Sequence, residues 1–197
     1  MKKTLVYLSS VALAIAIMSF TLGGRQFRVD TAKSSVNWKG YKVTGSHEGT
    51  VSIKNGEILF ENGKLLGGKI IMDMNSITCT DLSGEYATKL VGHLKADDFF
   101  GVNNHPTATL EITKIAPKGT PDEYKLTADL TIKNIKKEVK FFANVKQDGK
   151  KVVGSGKITI DRTDYNIRYG SGSIAEDLGD KTIYDEFDLN FNFVAAQ

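Results

Sequence analysis

The stretch FDLNFNF, residues 187–193, places a large apolar side chain at every second position and a polar one between. This period of two is typical of a β-strand that buries one face and exposes the other. The same alternation recurs along most of the chain, for example at Val36 and Trp38 and at Phe141 and Ala143. About eight such segments can be counted, and they predict an all-β protein.

Short turn signals separate these segments. Asn55-Gly56, Asn62-Gly63 and Asp148-Gly149 are dipeptides that favour tight β-hairpins. Eight antiparallel strands at hairpin spacing are compatible with a closed barrel or with a sandwich of two sheets. Neither a long repeat nor a change of composition divides the chain after the N-terminal segment, which predicts a single domain over residues 24–197.

Two segments break the alternation. Within residues 81–100, Tyr86, Leu90 and Leu94 follow one another at intervals of four, which predicts one short helix. It lies across an end of the barrel or is a plain connecting helix, and the spacing favours neither. Residues 163–185 are rich in glycine and serine, and a loop of this length predicts a lid over the barrel mouth.

The N-terminal segment has a composition of its own. Lys2 and Lys3 precede an uncharged, largely apolar run over residues 5–22, closed by small residues. This pattern predicts a secretory signal peptide over residues 1–23, with an uncleaved membrane anchor as the alternative. We therefore expect an exported, periplasmic protein without a membrane span in its mature form.

Charge and length exclude several classes of function. The chain has 197 residues, with 26 Lys and Arg against 23 Asp and Glu. This small excess of positive charge argues against a nucleic-acid partner. The lysine-rich stretch 133–140 accordingly predicts a solvated hairpin.

Metal binding and cysteine chemistry have little support in the sequence. His47, His93 and His105 are far apart and show no metal-ligand spacing, and Cys79 is the single cysteine. We expect no metal site and no cofactor, and we interpret Cys79 as a structural residue.

Acid–base chemistry has equally weak support. The candidate acids are Asp97, Asp98, Asp161 and Asp164. Neighbouring residues of a strand or helix point in different directions, so adjacency in sequence does not make a catalytic pair. The pattern predicts instead a structural ion pair between one of these acids and Arg162 or Arg168.

The interior of an eight-stranded barrel is either filled by side chains or wide enough for one small ligand. The predicted inner face mixes bulky Phe191 and Phe193 with adaptable Met72 and small Ala128 and Ala143. Such a mixture is compatible with an incompletely filled cavity. Periodicity alone leaves a packed core as an equal alternative.

Several longer strings are more specific. They are the run from Phe27 to Gly49 with SSVNW at 34–38 and VTGSH at 43–47, HLKADDFF at 93–100, HPTAT at 105–109, DLTIKNI at 129–135 and DRTDYNI at 161–167. In this order and spacing the chain resembles the YceI-like lipid/polyisoprenoid-binding family. It departs from the commoner family pattern at Ala128, Asn134, Glu138 and Asn166.

The resemblance implies an eight-stranded antiparallel lipocalin-like β-barrel that holds an isoprenoid or other long-chain amphiphile in its lumen. It implies no established catalytic residues, and family members also form homodimers, although nothing in this sequence identifies an interface. The leading hypothesis is a non-enzymatic carrier of an isoprenoid or fatty-chain lipid. The alternatives are an exported scaffold that binds proteins through its outer surface, and an enzyme acting on the lipid through Asp97, His93 or Arg162.

The carrier hypothesis predicts which residues meet the ligand. The lumen candidates are Trp38, Val51, Ile53, Ile70, Met72, Met74, Leu130, Phe141, Ile158, Phe191 and Phe193. The candidates at the barrel ends are Leu90, Leu94, Phe99, Phe100, Tyr165 and Tyr169. The assignment depends on register, because a shift of one residue would turn every lumen candidate outward.

Overall fold

The computed structural model describes residues 24–197, and the predicted signal peptide over residues 1–23 lies outside this range. The described chain forms nine strands and one α-helix. These are β1 (Arg25–Val29), β2 (Ser35–Lys42), β3 (Gly45–Glu61), β4 (Lys64–Asp73), α1 (Gly84–Lys95), β5 (Thr107–Pro117), β6 (Glu123–Ile132), β7 (Ile135–Asp148), β8 (Lys151–Asp161) and β9 (Ile183–Ala196). Short 3-10 helices span Met74–Ser76, Arg162–Tyr165 and Gly179–Lys181.

The strands form one closed antiparallel barrel. From β4 to β9 each strand pairs with the next, β9 pairs with β2, β2 with β3, and β3 returns to β4. The short β1 pairs with β3 and β9, the same two strands that flank β2, but farther along them. β1 and β2 therefore occupy one position in the barrel wall. The wall therefore has eight positions, which confirms the predicted barrel and excludes the sandwich.

Two of the three hairpin predictions are confirmed. Asn62 and Gly63 join β3 to β4 with φ of 50° and 75°, the positive values that such a tight turn needs. Gly149, with φ of 59°, lies in the turn between β7 and β8. Asn134 and Asn166, where the family pattern has glycine, also adopt positive φ.

The hairpin predicted at Asn55-Gly56 is wrong. Both residues lie inside the 17-residue β3, at a register shift against β4. A Cβ on Gly56 would lie 2.6 Å from Ile70 Cδ1 and 3.0 Å from Val29 Cγ2. The glycine is therefore needed for close packing at a β-bulge and does not form a turn.

The predicted helix is confirmed as α1, with Ser83 as its N-cap residue. Its apolar stripe is buried only toward the C-terminus, where Leu94 is buried and Leu90 is half-buried. Tyr86, in the first turn, is 75% exposed and lies outside the packed region.

The turn that follows α1 is held by the β6–β7 hairpin. Lys133 Nζ donates to the carbonyl oxygens of Asp97 at 2.9 Å and Phe99 at 2.8 Å. The lysine-rich stretch is thus a hairpin as predicted, but Lys133 is not simply solvated. Lys136 and Lys137 form ion pairs with acidic side chains.

The side chains of β9 and β8 interlock on the inner face. Phe193 and Phe191 stand opposite Gly154 and Gly156 in the register between these strands. A Cβ on Gly156 would lie 2.6 Å from the Phe191 ring and 2.7 Å from the Phe142 carbonyl oxygen. The glycines of β8 therefore make room for the rings that project inward from β9.

Replacing Gly156 by alanine should lower the free energy of unfolding by about 1–3 kcal/mol, because Phe191 and the backbone must both shift. The measurement is urea unfolding of the wild type and the variant. The control is Gly92→Ala, because a Cβ on Gly92 meets no protein atom within 4 Å and alanine favours the helix. Equal stability of the two variants would contradict the packing argument.

Candidate ligand-binding lumen

The barrel interior contains two apolar cavities in tandem. Their volumes are about 110 Å³ and about 100 Å³, and their walls consist almost wholly of aliphatic and aromatic side chains. Both cavities are lined by Val36, Met72, Leu130 and Leu189. These four residues lie between the two cavities, and we call them the waist of the lumen.

All eleven lumen candidates lie on these cavity walls. The first cavity is lined by Trp38, Val51 and Met74, the second by Ile53, Ile70, Phe141, Ile158, Phe191 and Phe193, and both by Met72 and Leu130. The predicted strand face therefore points inward at each of these positions. That a ligand contacts them stays a prediction.

The barrel-end candidates divide into two groups. Leu94, Phe99 and Phe100 line the first cavity, so α1 and its following turn cover that end of the lumen. Three others are not on either wall: Leu90, which is half-buried, Tyr165, which is 1% exposed, and Tyr169, which is 51% exposed. Tyr169 packs against His93 of α1 with ring centroids 4.3 Å apart, so the 163–185 segment and the helix meet at the same end.

The lumen also contains residues that the sequence analysis did not select. Leu189, Phe187 and Leu110 extend the same alternation and could have been found by continuing it along β9 and β5. Tyr41 and Arg162 line the first cavity as well. The alternation of apolar residues does not predict a polar residue on an apolar wall, so Tyr41 and Arg162 could not have been found in this way.

The segment that connects β4 to α1 completes the wall beside Trp38. The Trp38 indole donates to the Thr78 carbonyl oxygen at 3.0 Å, and the Thr78 N–H donates to the Thr50 carbonyl oxygen at 3.0 Å. A Cβ on Gly49 would lie 1.9 Å from that Thr78 oxygen, so only glycine permits this contact. The indole is thereby fixed against the first cavity.

The same segment is held to β3 by Asp81. Its carboxylate accepts hydrogen bonds from the Glu48 N–H at 3.0 Å and the Cys79 thiol at 3.2 Å, and it contacts His47 Nδ1 at 2.8 Å. Partial burial raises the pKa of Asp81, but these hydrogen bonds outweigh it and lower the pKa to about 2. Burial raises the pKa of the Cys79 thiol, which suits the structural role predicted for it.

Arg162 closes the same end of the barrel from the other side. The side chain is 2% exposed, and its guanidinium donates to four backbone carbonyl groups. The acceptors are those of Tyr184, Ile167, Tyr169 and Ile183, at 3.1, 2.9, 2.8 and 3.0 Å. Nη2 also lies 3.3 Å from Asp185 Oδ1 as an ion pair. Burial lowers the pKa of Arg162, and Asp185 and Asp161 oppose that effect.

This arrangement corrects the predicted ion pair. Arg162 pairs with Asp185, which was not among the acids expected, because the chain between them folds back to place β9 beside the 3-10 helix. Asp164 pairs with Lys137 at 3.2 Å, and Asp97 and Asp98 are exposed. The 163–185 segment is thus fastened by one buried guanidinium at the end of the first cavity.

Residues 24–197 provide neither a cluster of metal ligands nor a membrane-spanning helix. No group of three or more histidine, cysteine and acidic side chains is arranged to hold a metal ion within this range. None of its helices has the length and apolarity needed to cross a bilayer.

A closed antiparallel barrel around an apolar lumen defines a lipocalin-like architecture. Within it the chain belongs to the family of YceI-like domains, whose model matches residues 27–195. A UPF0312 protein of Pectobacterium atrosepticum is 30% identical over 92 residues, which cover 44% of this chain and about half (47%) of that relative.

Two solved structures show the same fold. BcnA of Burkholderia cenocepacia is 26% identical, with a TM-score of 0.69 over 85% of this chain and 99% of that one. A polyisoprenoid binding domain from Saccharophagus degradans is 16% identical, with a TM-score of 0.63 over 86% and 97%. The first of these matches spans nearly the whole described domain.

Replacing Asp81 by asparagine should remove a pH-dependent part of the stability. The folded pKa is about 2 and the ordinary value is 3.8, so this part is fully present above about pH 4 and is lost as the pH falls through 2. The stability difference between wild type and variant, measured by urea unfolding, should shrink over that window. The control is Asp98→Asn at an exposed site, and a difference that stays constant with pH would contradict the assignment.

Replacing Arg162 by alanine should cost about 3–5 kcal/mol of unfolding free energy, because Asp185 and four carbonyl groups lose their partner. Arg162→Lys should recover only part of it, since one ammonium cannot reach all acceptors. The exposed Arg168→Ala is the control, with a change within about 0.5 kcal/mol. Urea unfolding measures all three, and a small effect of Arg162→Ala would contradict the fastening role.

Proposed function

We propose that the protein binds the apolar chain of an isoprenoid or other long-chain lipid in the barrel lumen and carries it without altering it chemically. The observation that carries this proposal is the pair of apolar cavities that adjoin at the waist formed by Val36, Met72, Leu130 and Leu189. An elongated apolar lumen matches a linear hydrocarbon chain better than it matches a compact polar metabolite.

The wall chemistry is sufficient for such a ligand. Each buried CH₂ group contributes about 0.8 kcal/mol, so a chain of a few isoprene units can bind without a charged anchor. Met72 lies at the waist, and its unbranched side chain can adapt to a chain that passes it.

The comparisons support the ligand class. The Saccharophagus protein with the same fold is described as a polyisoprenoid binding domain, and the YceI-like family model spans nearly the whole described domain of this chain. We extend that ligand class to this chain on the strength of its own apolar lumen.

The positions of the candidate catalytic residues support a carrier over an enzyme. Asp97 is exposed, His93 packs edge-on against two aromatic rings, and Arg162 is engaged by backbone carbonyl groups. Each of these side chains has a structural role or lies away from the lumen. The scaffold alternative is weakened because Lys133, Lys136 and Lys137 are each partnered within the chain.

We also propose that the protein works outside the cytoplasm. The support is the charged start at Lys2 and Lys3, followed by the uncharged run over residues 5–22. The mass of the protein recovered from its native envelope tests this, because cleavage near residue 23 removes the segment.

Lumen binding predicts that Met72→Glu abolishes uptake of N-phenyl-1-naphthylamine, an apolar fluorescent probe, because a carboxylate at the waist would be buried without a partner. The matched control is Ile71→Glu, the neighbouring residue of β4, which borders a cleft on the outer surface. Probe fluorescence during titration measures the effect, and the control should bind as the wild type does.

A second variant distinguishes a loss of binding from a loss of the folded structure. Met72→Trp narrows the waist by volume without adding charge and should also weaken uptake while the cooperative unfolding transition remains. Uptake by folded Met72→Glu and Met72→Trp equal to that of Ile71→Glu would show that the probe does not enter the lumen.

A further inference from the structure

The first cavity is separated from an outer polar cleft by a thin partition. Tyr41, Ile183 and Tyr184 line the cavity and also border the cleft, which has a volume of about 560 Å³. The cleft lies between the outer face of β8 and β9 and the end of the 163–185 segment. An apolar and a polar compartment therefore meet across three side chains.

Strand pairing is interrupted at this partition. Gly40 pairs with Phe187 and Lys42 with Ile183, so two steps along β2 correspond to four steps along β9. Such a bulge leaves residues unpaired and locally disrupts the ladder of hydrogen bonds. The hydrogen-bond ladder of the barrel wall is thus interrupted at the point where the two compartments meet.

Side chains at the bulge leave space for passage. A Cβ on Gly40, which lines the cavity, meets no protein atom within 4 Å. Tyr184 is 52% exposed, so few buried contacts oppose rotation of its ring. Displacement of Tyr184 would therefore open a path from the first cavity to the cleft.

The charged groups at the cleft are already paired. Asp188, which is 6% exposed, accepts hydrogen bonds from Tyr41 at 2.7 Å and Thr159 at 2.7 Å and forms an ion pair with Lys157 at 2.9 Å. These hydrogen bonds outweigh the effect of burial and lower the pKa of Asp188, so it is a carboxylate near neutral pH. Lys157 is therefore committed to Asp188.

The buried cation beside the cleft is committed as well. Arg162 donates four of its five N–H groups to backbone carbonyl groups, and its charge is paired with Asp185. The cleft itself carries Asp185, Glu186 and Asp188 against Lys157. Among the residues that border the cleft, an anionic head group would meet three carboxylates and one lysine that is already paired.

A hydroxyl group would meet a suitable acceptor. Asp185 Oδ1 is buried and has no hydrogen-bond partner within residues 24–197. Arg162 Nη2 lies 3.3 Å from it and balances its charge. Asp185 Oδ2 accepts from Ser173 at 2.5 Å. An alcohol that donates its O–H to Asp185 Oδ1 would satisfy this oxygen without adding charge.

We infer that the polar end of the bound lipid leaves the lumen between β2 and β9, at the bulge opposite Tyr41, and that the outer cleft selects an uncharged alcohol over a phosphate. This inference rests on the proposed function, because it needs the apolar chain in the lumen. It adds the exit point and the chemical class of the head group.

Three probes with the same chain test the head group: geranylgeraniol, its methyl ether and its diphosphate. The readout is the fluorescence of Trp38, the single tryptophan, which lines the first cavity. The alcohol should bind at least about tenfold more tightly than the diphosphate, because the excess carboxylates repel an anion. The ether should bind more weakly than the alcohol, since it has no O–H to donate.

The outcomes separate the two proposals. Equal or tighter binding of the diphosphate would overturn the head-group inference while leaving lumen binding intact. Equal binding of the alcohol and the ether would overturn the hydrogen bond to Asp185. If none of the three binds, the proposed function and the inference both fail.

Two variants locate the exit. Gly40→Leu should weaken alcohol binding by at least about tenfold, because its side chain occupies the passage. The control is Gly92→Leu on the exposed face of α1, which should bind as the wild type does. Glu186→Lys should narrow the preference for the alcohol over the diphosphate, and Glu138→Lys, with the same charge change on β7, should not. If Gly40→Leu binds the alcohol as the wild type does, the proposed exit point is wrong. It is also wrong if Glu186→Lys and Glu138→Lys show the same ratio of alcohol to diphosphate affinity.

Discussion

Closure of the backbone hydrogen-bond ladder is the constraint on which the rest of this structure depends. Pairing of β3 with β4 closes the sheet, so that the strands pair on both sides and the sheet has an inner and an outer face. Alternate residues of every strand must then share one interior, and eight wall positions make that interior about as wide as its own side chains. Whether a lumen remains is decided by the sizes of those side chains, through pairs such as Gly156 with Phe191.

The sequence predicts the inner face well because a period of two leaves little freedom. Met72, Phe141 and Phe191 were found from alternation alone and all line the second cavity. The turn predicted at Asn55-Gly56 is wrong because a local turn signal contains no information on the continued pairing of β3 with β4 through a bulge. The partner of Arg162 was equally hidden, since Asp185 is brought to it only by the fold of an irregular segment.

The two ends of the barrel differ in the polarity of the groups around the lumen. At the first cavity, α1, the segment fastened by Arg162 and the segment held by Asp81 converge, and polar groups stand close behind an apolar wall. The second cavity is lined by aliphatic and aromatic side chains and by small residues such as Gly68 and Ala143. A linear amphiphile also has one polar and one apolar end, so under the proposed function this asymmetry would orient its tail toward the second cavity.

The position of the waist then makes the affinity for a bound chain depend on the length of that chain. A five-carbon isoprene unit contributes about 4 kcal/mol if fully buried, less the cost of ordering the chain and the side chains around it. A short chain gains this only within the first cavity, whereas a longer one must pass Met72 and Leu130 before the second cavity adds its contribution. Affinity should therefore rise in two stages with chain length, and selectivity for long chains would follow from the shape of the lumen, independently of any charged contact.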